Sequence, residues 1–330
     1  MRKKAIRLLT LLLAAVMLVG CGAGDAGSLS EEETQQSSSA AAGAGQPVVF
    51  TDALGYEVEI DSWQRVVSLY GSFAEAWTLA GGSLVGATSD AVEERDLVLG
   101  DHVAIVGSVK NPGFEEILAA QPDFVTLSAD IAAQAELHDA LTDAGIPHAY
   151  YRVDTFEDYR AMMEQFCEMT GRQDLYEQNA VAVGRQIDAV REAVEGQPQP
   201  TVLLLRAFAT GVKAKGADQL AGAILADLGA TNRVDQYQSL LEDLSMEEIV
   251  AADPDVILVV TMGSDEEAAL GYLEEHFESN PAWAGLSAVQ NGRYEVLPKE
   301  LFHYKPNARW GESYAYLAKI LYPDIAGEIG

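Results

Sequence analysis

The chain has 330 residues, 48% hydrophobic and 22% charged. That is apolar material for one large or two medium domains, and it excludes a disordered chain, a collagen and a small disulfide scaffold. Lys and Arg total 21 against 51 Asp and Glu, a formal charge of −30, and a surface of that sign repels phosphate backbones, so no nucleic-acid partner is expected.

The N-terminus reads as an address. Arg2, Lys3, Lys4 and Arg7 precede Leu8–Val19, a twelve-residue apolar run. The run is too short for a membrane span of ~20 residues but suits the core of a secretory signal. It ends Leu18-Val19-Gly20-Cys21, small residues before a cysteine, as in a bacterial lipobox. Residues 1–20 are therefore expected to be a lipoprotein signal peptide, with Cys21 the lipidated first residue of the mature chain. Residues 21–46, rich in Gly, Ala, Ser, Gln and Glu, cannot bury a core and read as a flexible tether. Without the leader, 17 basic residues face 51 acidic ones, a charge of −34. The expected location is the extracytoplasmic face of the cell membrane, held by a lipid anchor. The one remaining cysteine, Cys167, has no partner for an internal disulfide and reads as a small core residue.

Val48–Ile60 has a hairpin pattern around Leu54-Gly55-Tyr56. Strands are expected at 65–69, 84–87, 103–106 and 148–153, with helices at 73–80 and 131–144. Residues 115–127 read EEILAAQPDFVTL, and residues 247–259 read EEIVAADPDVILV. Seven of the thirteen positions are identical, and each copy predicts a short helix, a Pro-Asp turn and an apolar strand. Such a self-match points to a duplicated α/β lobe. The second lobe continues with strands at 201–205 and 293–297 and helices at 218–228, 266–277 and 307–321. Between the lobes, Tyr176, Ala180, Val183, Ile187, Val190 and Val194 step by three and four, which is helical spacing. A helix over 174–195 spans ~33 Å and is stiff, so the lobes are expected to move little. Gly196-Gln197-Pro198-Gln199-Pro200 stops it.

The expected fold is α/β: two Rossmann-like lobes with mostly parallel sheets, residues 47–173 and 197–330, joined by one long helix at 174–196, with a ligand cleft between them. Enzyme signatures are missing: no G-x-S-x-G, H-E-x-x-H or C-x-x-C, and no G-x-G-x-x-G opening a helix. Gly81–Gly86 has P-loop spacing, but Ala87-Thr88 follows where Lys-Ser/Thr is required, and the segment reads as a turn. The five histidines, at 102, 138, 148, 276 and 303, show no metal-ligand spacing. No metal, cofactor or catalytic residue is expected.

A lipobox, a polar tether, two α/β lobes and a long linking helix resemble the substrate-binding lipoproteins of ABC importers, in the helical-backbone class that serves ferric siderophores, haem and cobalamin. The resemblance covers residues 47–323. Thr51-Asp52-Ala53-Leu54-Gly55 before Arg65–Leu69 carries it, as do both Glu-x-Ile-x-Ala-x-x-Pro-Asp copies. So do Asn280-Pro281-Ala282-Trp283, Ala288-Val289-Gln290-Asn291-Gly292-Arg293 and Lys305-Pro306-Asn307-Ala308-Arg309-Trp310. The metal-ion members of that architecture use several His and carboxylate ligands, whereas this chain places only His303 in an expected cleft loop.

Ligands of open α/β sheets sit beyond the carboxyl ends of the strands. Those ends present Tyr70, Ser72 and Ser128 in the first lobe, and Arg206, Phe208, Met262, Phe302, His303, Tyr304 and Lys305 in the second. Arg206, Lys213, Lys215, Lys299, Lys305 and Arg309 gather there against the overall charge, which suits an anionic ligand. The resemblance implies that Arg206 contacts the oxygens of an iron chelate. It further implies that Glu115 and Glu247, one per lobe, dock on an ABC permease dimer that works with a cytoplasmic ATPase. The expected function is capture of a ferric siderophore for delivery to that permease. Haem and cobalamin are the alternatives, with His303, Tyr304, Tyr70 or Met262 as axial ligand for haem. A chelatase-like tetrapyrrole enzyme and a purely structural surface lipoprotein are the readings of other classes.

Overall fold

The computed structural model describes residues 47–330 apart from Asp243 and Ser264. The signal peptide, Cys21 and the tether lie outside the described residues. The chain opens with an antiparallel hairpin, β1 (Val48–Thr51) and β2 (Glu57–Ile60). A parallel sheet follows: β3 (Val66–Ser68), β4 (Leu84–Ala87), β5 (Ala104–Ile105), then, after the small hairpin β6 (Gly107–Ser108) and β7 (Asn111–Pro112), β8 (Phe124–Ser128) and β9 (His148–Tyr151). Its spatial order is β5-β4-β3-β8-β9, so the order reverses between β3 and β8. The second sheet contains β10 (Thr201–Phe208), β11 (Gly211–Ala214), β12 (Thr231–Asn232), β13 (Val256–Thr261) and β14 (Tyr294–Val296). Its order is β11-β10-β13-β14, with β12 beside the start of β10. Only the β10–β11 pair is antiparallel.

The internal repeat is structural. Each copy forms a helix, Phe114–Ala119 or Met246–Ala252, that turns into a central strand, β8 or β13. The residue before each proline is left-handed, Gln121 at φ 48° and Asp253 at φ 33°, which ends the helix and reverses the chain. The aspartate after each proline then ties down the start of the neighbouring strand. Asp123 accepts the N–H groups of Gln64 and Arg65 at 2.9 and 2.8 Å. Asp255 accepts the N–H and hydroxyl of Thr201 at 2.8 and 2.7 Å. The registers match: Val66 lies opposite Phe124, and Val202 opposite Val256.

Both faces of each sheet are buried, so successive strand residues enter different cores. Val67, Leu69, Val125 and Leu127 pack on one side of the first sheet, and Leu203, Leu205, Ile257 and Val259 on one side of the second. The other two faces share one continuous core. It runs from Phe124 and Ala149 through Trp77, Tyr159 and Phe166, along the linking helix and Trp310, to Leu204 and Leu258. The linking helix is Gln173–Tyr176 and Ala182–Val194 with a wider π turn at Glu177–Val181 between them. Its expected apolar row points inward: Ala180, Val183, Ile187, Val190 and Val194 are buried. Arg191 anchors it to Asp227 of the second lobe, and the Tyr314 hydroxyl donates to the same carboxylate at 2.6 Å.

Three expectations are corrected. The helix at 131–144 is broken into Ala132–Ala135 and His138–Asp143. The Tyr150 hydroxyl donates to the Gln134 carbonyl at 3.1 Å, and the buried Gln134 side chain bonds the backbone of Ser128, Leu69 and Val109, so tertiary bonds take over where the ladder would continue. The strand expected to end near Leu205 runs to Phe208, because the unforeseen β11 pairs with it. The closing helix begins as a tight turn at Asn307–Arg309, with Asn307 left-handed at φ 50°, before Trp310–Leu321. Cys167 is buried in the core, and burial pushes its thiol up to about 11.

Candidate ligand-binding site

The carboxyl ends of the two sheets face one another across a polar pocket of about 60 Å³. Arg206, Gln219, Phe302, His303 and Lys305 of the second lobe and Asp154 of the first line it. Arg206 is half-buried on β10, level with Lys213 on β11 and Val260 on β13. Its guanidinium donates to the Gln219 side-chain oxygen and, at 3.0 Å, to the Met262 sulfur, and it lies 5.9 Å from the centroid of the Phe208 ring. Among the described residues no carboxylate lies within 4 Å of it. Burial pushes its pKa down, against the pull of Asp218 and of Tyr70. A desolvated cation with neutral neighbours is poised for an anion.

His303 sits beside it, with its ring stacked on Tyr304 at 4.7 Å between centroids. Its buried Nδ1 has no hydrogen-bond partner. Burial first, then the charges of Lys299, Arg206 and Lys110, push its pKa down to about 4, so it is neutral at physiological pH. Lys110 belongs to the β6–β7 turn of the first lobe. Lys299 donates to the Gly263 carbonyl at 2.7 Å.

The first lobe contributes a different wall. Tyr70 caps the helix Gly71–Leu79 and packs edge-on against Phe73. Burial, with Asp90 and Glu94 nearby, pushes its phenol up to about 12. Asp90 is buried and accepts the Gly71 N–H at 2.7 Å. Burial pushes the carboxyls of both Asp90 and Glu94 above their ordinary range. Arg95 pairs with Glu75 and lies 5.9 Å from the centroid of the Tyr304 ring.

The walls are clasped. Lys305 donates to Asp154 at 3.1 Å. Fully buried Asn307 donates through Nδ2 to the Ser72 carbonyl at 2.8 Å and to Glu75 at 2.7 Å.

Of the ten residues expected in the cleft, the structure brings Arg206, Phe302, His303 and Lys305 to this pocket. Phe208 and Met262 lie against Arg206, Tyr304 against His303, and Tyr70 near Arg206. Ser72 is buried and reaches the clasp through its backbone. Ser128 is elsewhere: its N–H donates to Gln134 and its hydroxyl accepts from the Asp130 N–H, so it shapes the turn after β8. Arg309 is engaged by Glu312 at 2.8 Å. Gln219, Asp154, Asp90, Glu94, Arg95 and Lys110 carry no local pattern, and only the fold gathers them. Glu115 and Glu247 occupy the same place on the two repeat helices, both exposed. Glu248 is instead half-buried and accepts the Ser239 hydroxyl at 2.7 Å.

A larger hollow of about 630 Å³ lies between the linking and closing helices, lined by Gln186, Val190, Leu301, Ala315 and Lys319. It lacks convergent cations and lies away from the strand ends. Among the described residues no helix is long and apolar enough to cross a membrane, and no group of three or more His, Cys, Asp or Glu side chains is placed to hold a metal ion.

Two parallel-sheet lobes, bridged by a helix and meeting at a cation-rich pocket, define a two-lobed solute-binding protein. Residues 66–301 match the periplasmic binding protein family model, and the chain belongs to that family. It is 26% identical, over 99% of its length and all of the relative's, to the uncharacterized ABC transporter substrate-binding lipoprotein YvrC of Bacillus subtilis. Its fold resembles the heme-binding protein RhuT of Roseiflexus (TM-score 0.65, 21% identity, 79% of this chain and 99% of that one). It also resembles Staphylococcus aureus SirA complexed with staphyloferrin B (TM-score 0.63, 22% identity, 84% and 98%).

Proposed function

We propose that this chain is the lipid-anchored, extracytoplasmic solute-binding component of an ABC importer, and that it captures an anionic ferric siderophore. The lobes are assigned as residues 47–173 and 197–330, with 174–196 as the link. The observation that carries the ligand class is Arg206, a half-buried guanidinium with no ion-pair partner among the described residues, in a pocket that it shares with Lys305, while Lys299 and Lys110 add positive charge around the neighbouring His303. Carboxylate or catecholate oxygens on a ferric chelate complement that wall through charge-assisted hydrogen bonds. A pocket of about 60 Å³ is below the ~300–1,000 Å³ of ligand sites, so admission of a chelate requires the Lys305–Asp154 and Asn307 clasps to part. The anchor rests on Cys21 and on the lipoprotein relative that spans 99% of the chain.

Haem is the second reading, favoured by the neutral His303 with its unpartnered ring nitrogen; a corrinoid ranks third. The absorption spectrum of protein purified from its own cells separates them. A broad visible charge-transfer band supports the ferric siderophore, a Soret band supports haem, and corrin bands support cobalamin. Turnover of a bound tetrapyrrole would move the protein to the enzymes.

A further inference from the structure

Two of the five histidines meet at the end of the first sheet opposite the ligand pocket. His148 opens β9, and His138 opens the helix that precedes it. Their Nε2 and Nδ1 atoms lie 3.0 Å apart. The other nitrogen of His148 is 2.8 Å from the Ile146 carbonyl. A carbonyl only accepts, so His148 Nδ1 carries the proton and its Nε2 lone pair is aimed at His138. Burial lowers the His148 pKa, which keeps that lone pair available at neutral pH. The Tyr56 ring stacks on His138 at 3.7 Å and 11°, and the Tyr150 ring meets His148 edge-on at 5.8 Å. The His138 ring is thus held by Tyr56 of the opening hairpin, and the His148 ring by Ile146 and by Tyr150 of its own strand. They line an open hollow of about 420 Å³ together with Tyr56, Glu57, Glu59 and Thr142.

We propose that His138 and His148 form a binding site for a late first-row divalent metal ion, copper(II) foremost. Two imidazole nitrogens held at ~2.0–2.1 Å from one ion are ~2.9 Å apart at a right angle and ~3.4 Å apart at the tetrahedral angle. The observed 3.0 Å is the length of the hydrogen bond that now joins them and falls within that span, so each ring need only tilt for both nitrogens to meet one ion, and copper(II) heads the affinity order of these ions. The Ile146 carbonyl fixes the tautomer of His148, as outer acceptors do in metal sites. The ion replaces the proton on His138 Nδ1, which passes to that ring's Nε2, so both ligands bind as neutral imidazoles and no net proton release is expected. With two protein ligands, water completes the coordination, and Glu57 and Glu59 on the same hollow add attraction. This site is separate from the chelate pocket and independent of its ligand.

The test is calorimetric titration of the full chain with Cu²⁺ at pH 7.5 in two buffers of different ionisation enthalpy, with electron paramagnetic resonance of the product. One Cu²⁺ per chain, no net proton release and a signal from two nitrogen donors are expected. His148→Ala is expected to weaken binding by more than the ~100-fold typical of an outer-shell residue. His138→Asn keeps a hydrogen-bond donor near the Nδ1 position, so it is expected to keep the metal-free melting temperature while losing Cu²⁺ to the same extent. No binding by the unaltered chain would overturn the proposal. So would equal affinity in the His138→Asn variant, or a single-nitrogen signal.

Discussion

The two repeat copies share a scaffold and differ in what stands at the ends of their strands. In both, a short helix, a left-handed residue, a proline and a strand-tying aspartate lead into a central parallel strand. At the carboxyl ends the likeness stops. The second lobe presents Arg206, Lys299, Lys305 and a neutral His303. The first presents Tyr70, Asp90 and Glu94, with Arg95 taken by Glu75, and Lys110 is its lone contribution to the positive field around His303. The repeat supplies the frame, and most of the cations around the pocket stand on one half of it. A pocket built from two matching walls would place both partners of each ligand contact twice. This one has a cationic wall on one lobe and an aromatic, acid-lined wall on the other.

If the scaffold symmetry serves docking and the asymmetry serves binding, substitutions in the two classes separate cleanly. The largest effect is expected from Glu115→Arg combined with Glu247→Arg. Transport is abolished in an uptake assay at normal surface levels while ligand affinity stays intact, because both copies present the same exposed carboxylate to a two-subunit channel. Normal uptake removes the docking role. Next comes Arg206→Ala, which removes a charge-assisted contact of ~1.5–3 kcal/mol, or about 10–150-fold in Kd by fluorescence titration. Arg206→Lys recovers only part of it, since a point charge replaces a planar fork. In the matched register the counterpart of Arg206 on the first sheet is Tyr70, so no cation there substitutes for the lost one.

The repeat, the hairpin and the apolar row of the linking helix were legible because each is a local pattern with a period or a turn signature. Continuous apolar strands such as Val256–Val260 also announced burial on both faces. The chemistry was half legible. Arg206 and the 302–305 segment stood out as cations and aromatics against an acidic chain. Arg95, Lys110 and Asp154 look like any surface charge until the fold brings them to the 303–305 segment. Gln134 was invisible for a related reason: its three tertiary hydrogen bonds break a helix that its own sequence window supports. The histidine spacing of ten residues matched no ligand motif, yet the turn at Gly145-Ile146-Pro147 folds His138 back onto His148.

The equivalence of the frame has its own test. Asp123→Ala removes the bonds from the Gln64 and Arg65 N–H groups and the Ser62 hydroxyl, Asp255→Ala those from the Thr201 N–H and hydroxyl, and each is expected to cost roughly 1–2 kcal/mol by denaturant unfolding. Unequal losses beyond that range mean that only one copy needs the tie. The smallest expected effect is on pH dependence. His303 has its folded pKa pushed down to about 4 from an unfolded value near 6.5. Between those values the unfolded chain binds the proton and the folded chain does not, so this residue's contribution to stability is lost as pH falls from about 6.5 to 4. His303→Gln flattens that part of the stability profile. A slope unchanged by the substitution shows that His303 does not titrate differently on unfolding.

The binding asymmetry is tested most directly by charge discrimination. Tryptophan fluorescence of the full chain is titrated with two ferric chelates of similar size, one anionic and one neutral, for the unaltered protein and for Arg206→Ala. Tight binding of the anionic chelate alone is expected, with a loss of about 10–150-fold in Arg206→Ala and no change for the neutral one. Equal affinity for both chelates in the unaltered protein, or an anionic chelate that binds Arg206→Ala as well as it binds the parent, contradicts the cationic wall as the basis of recognition.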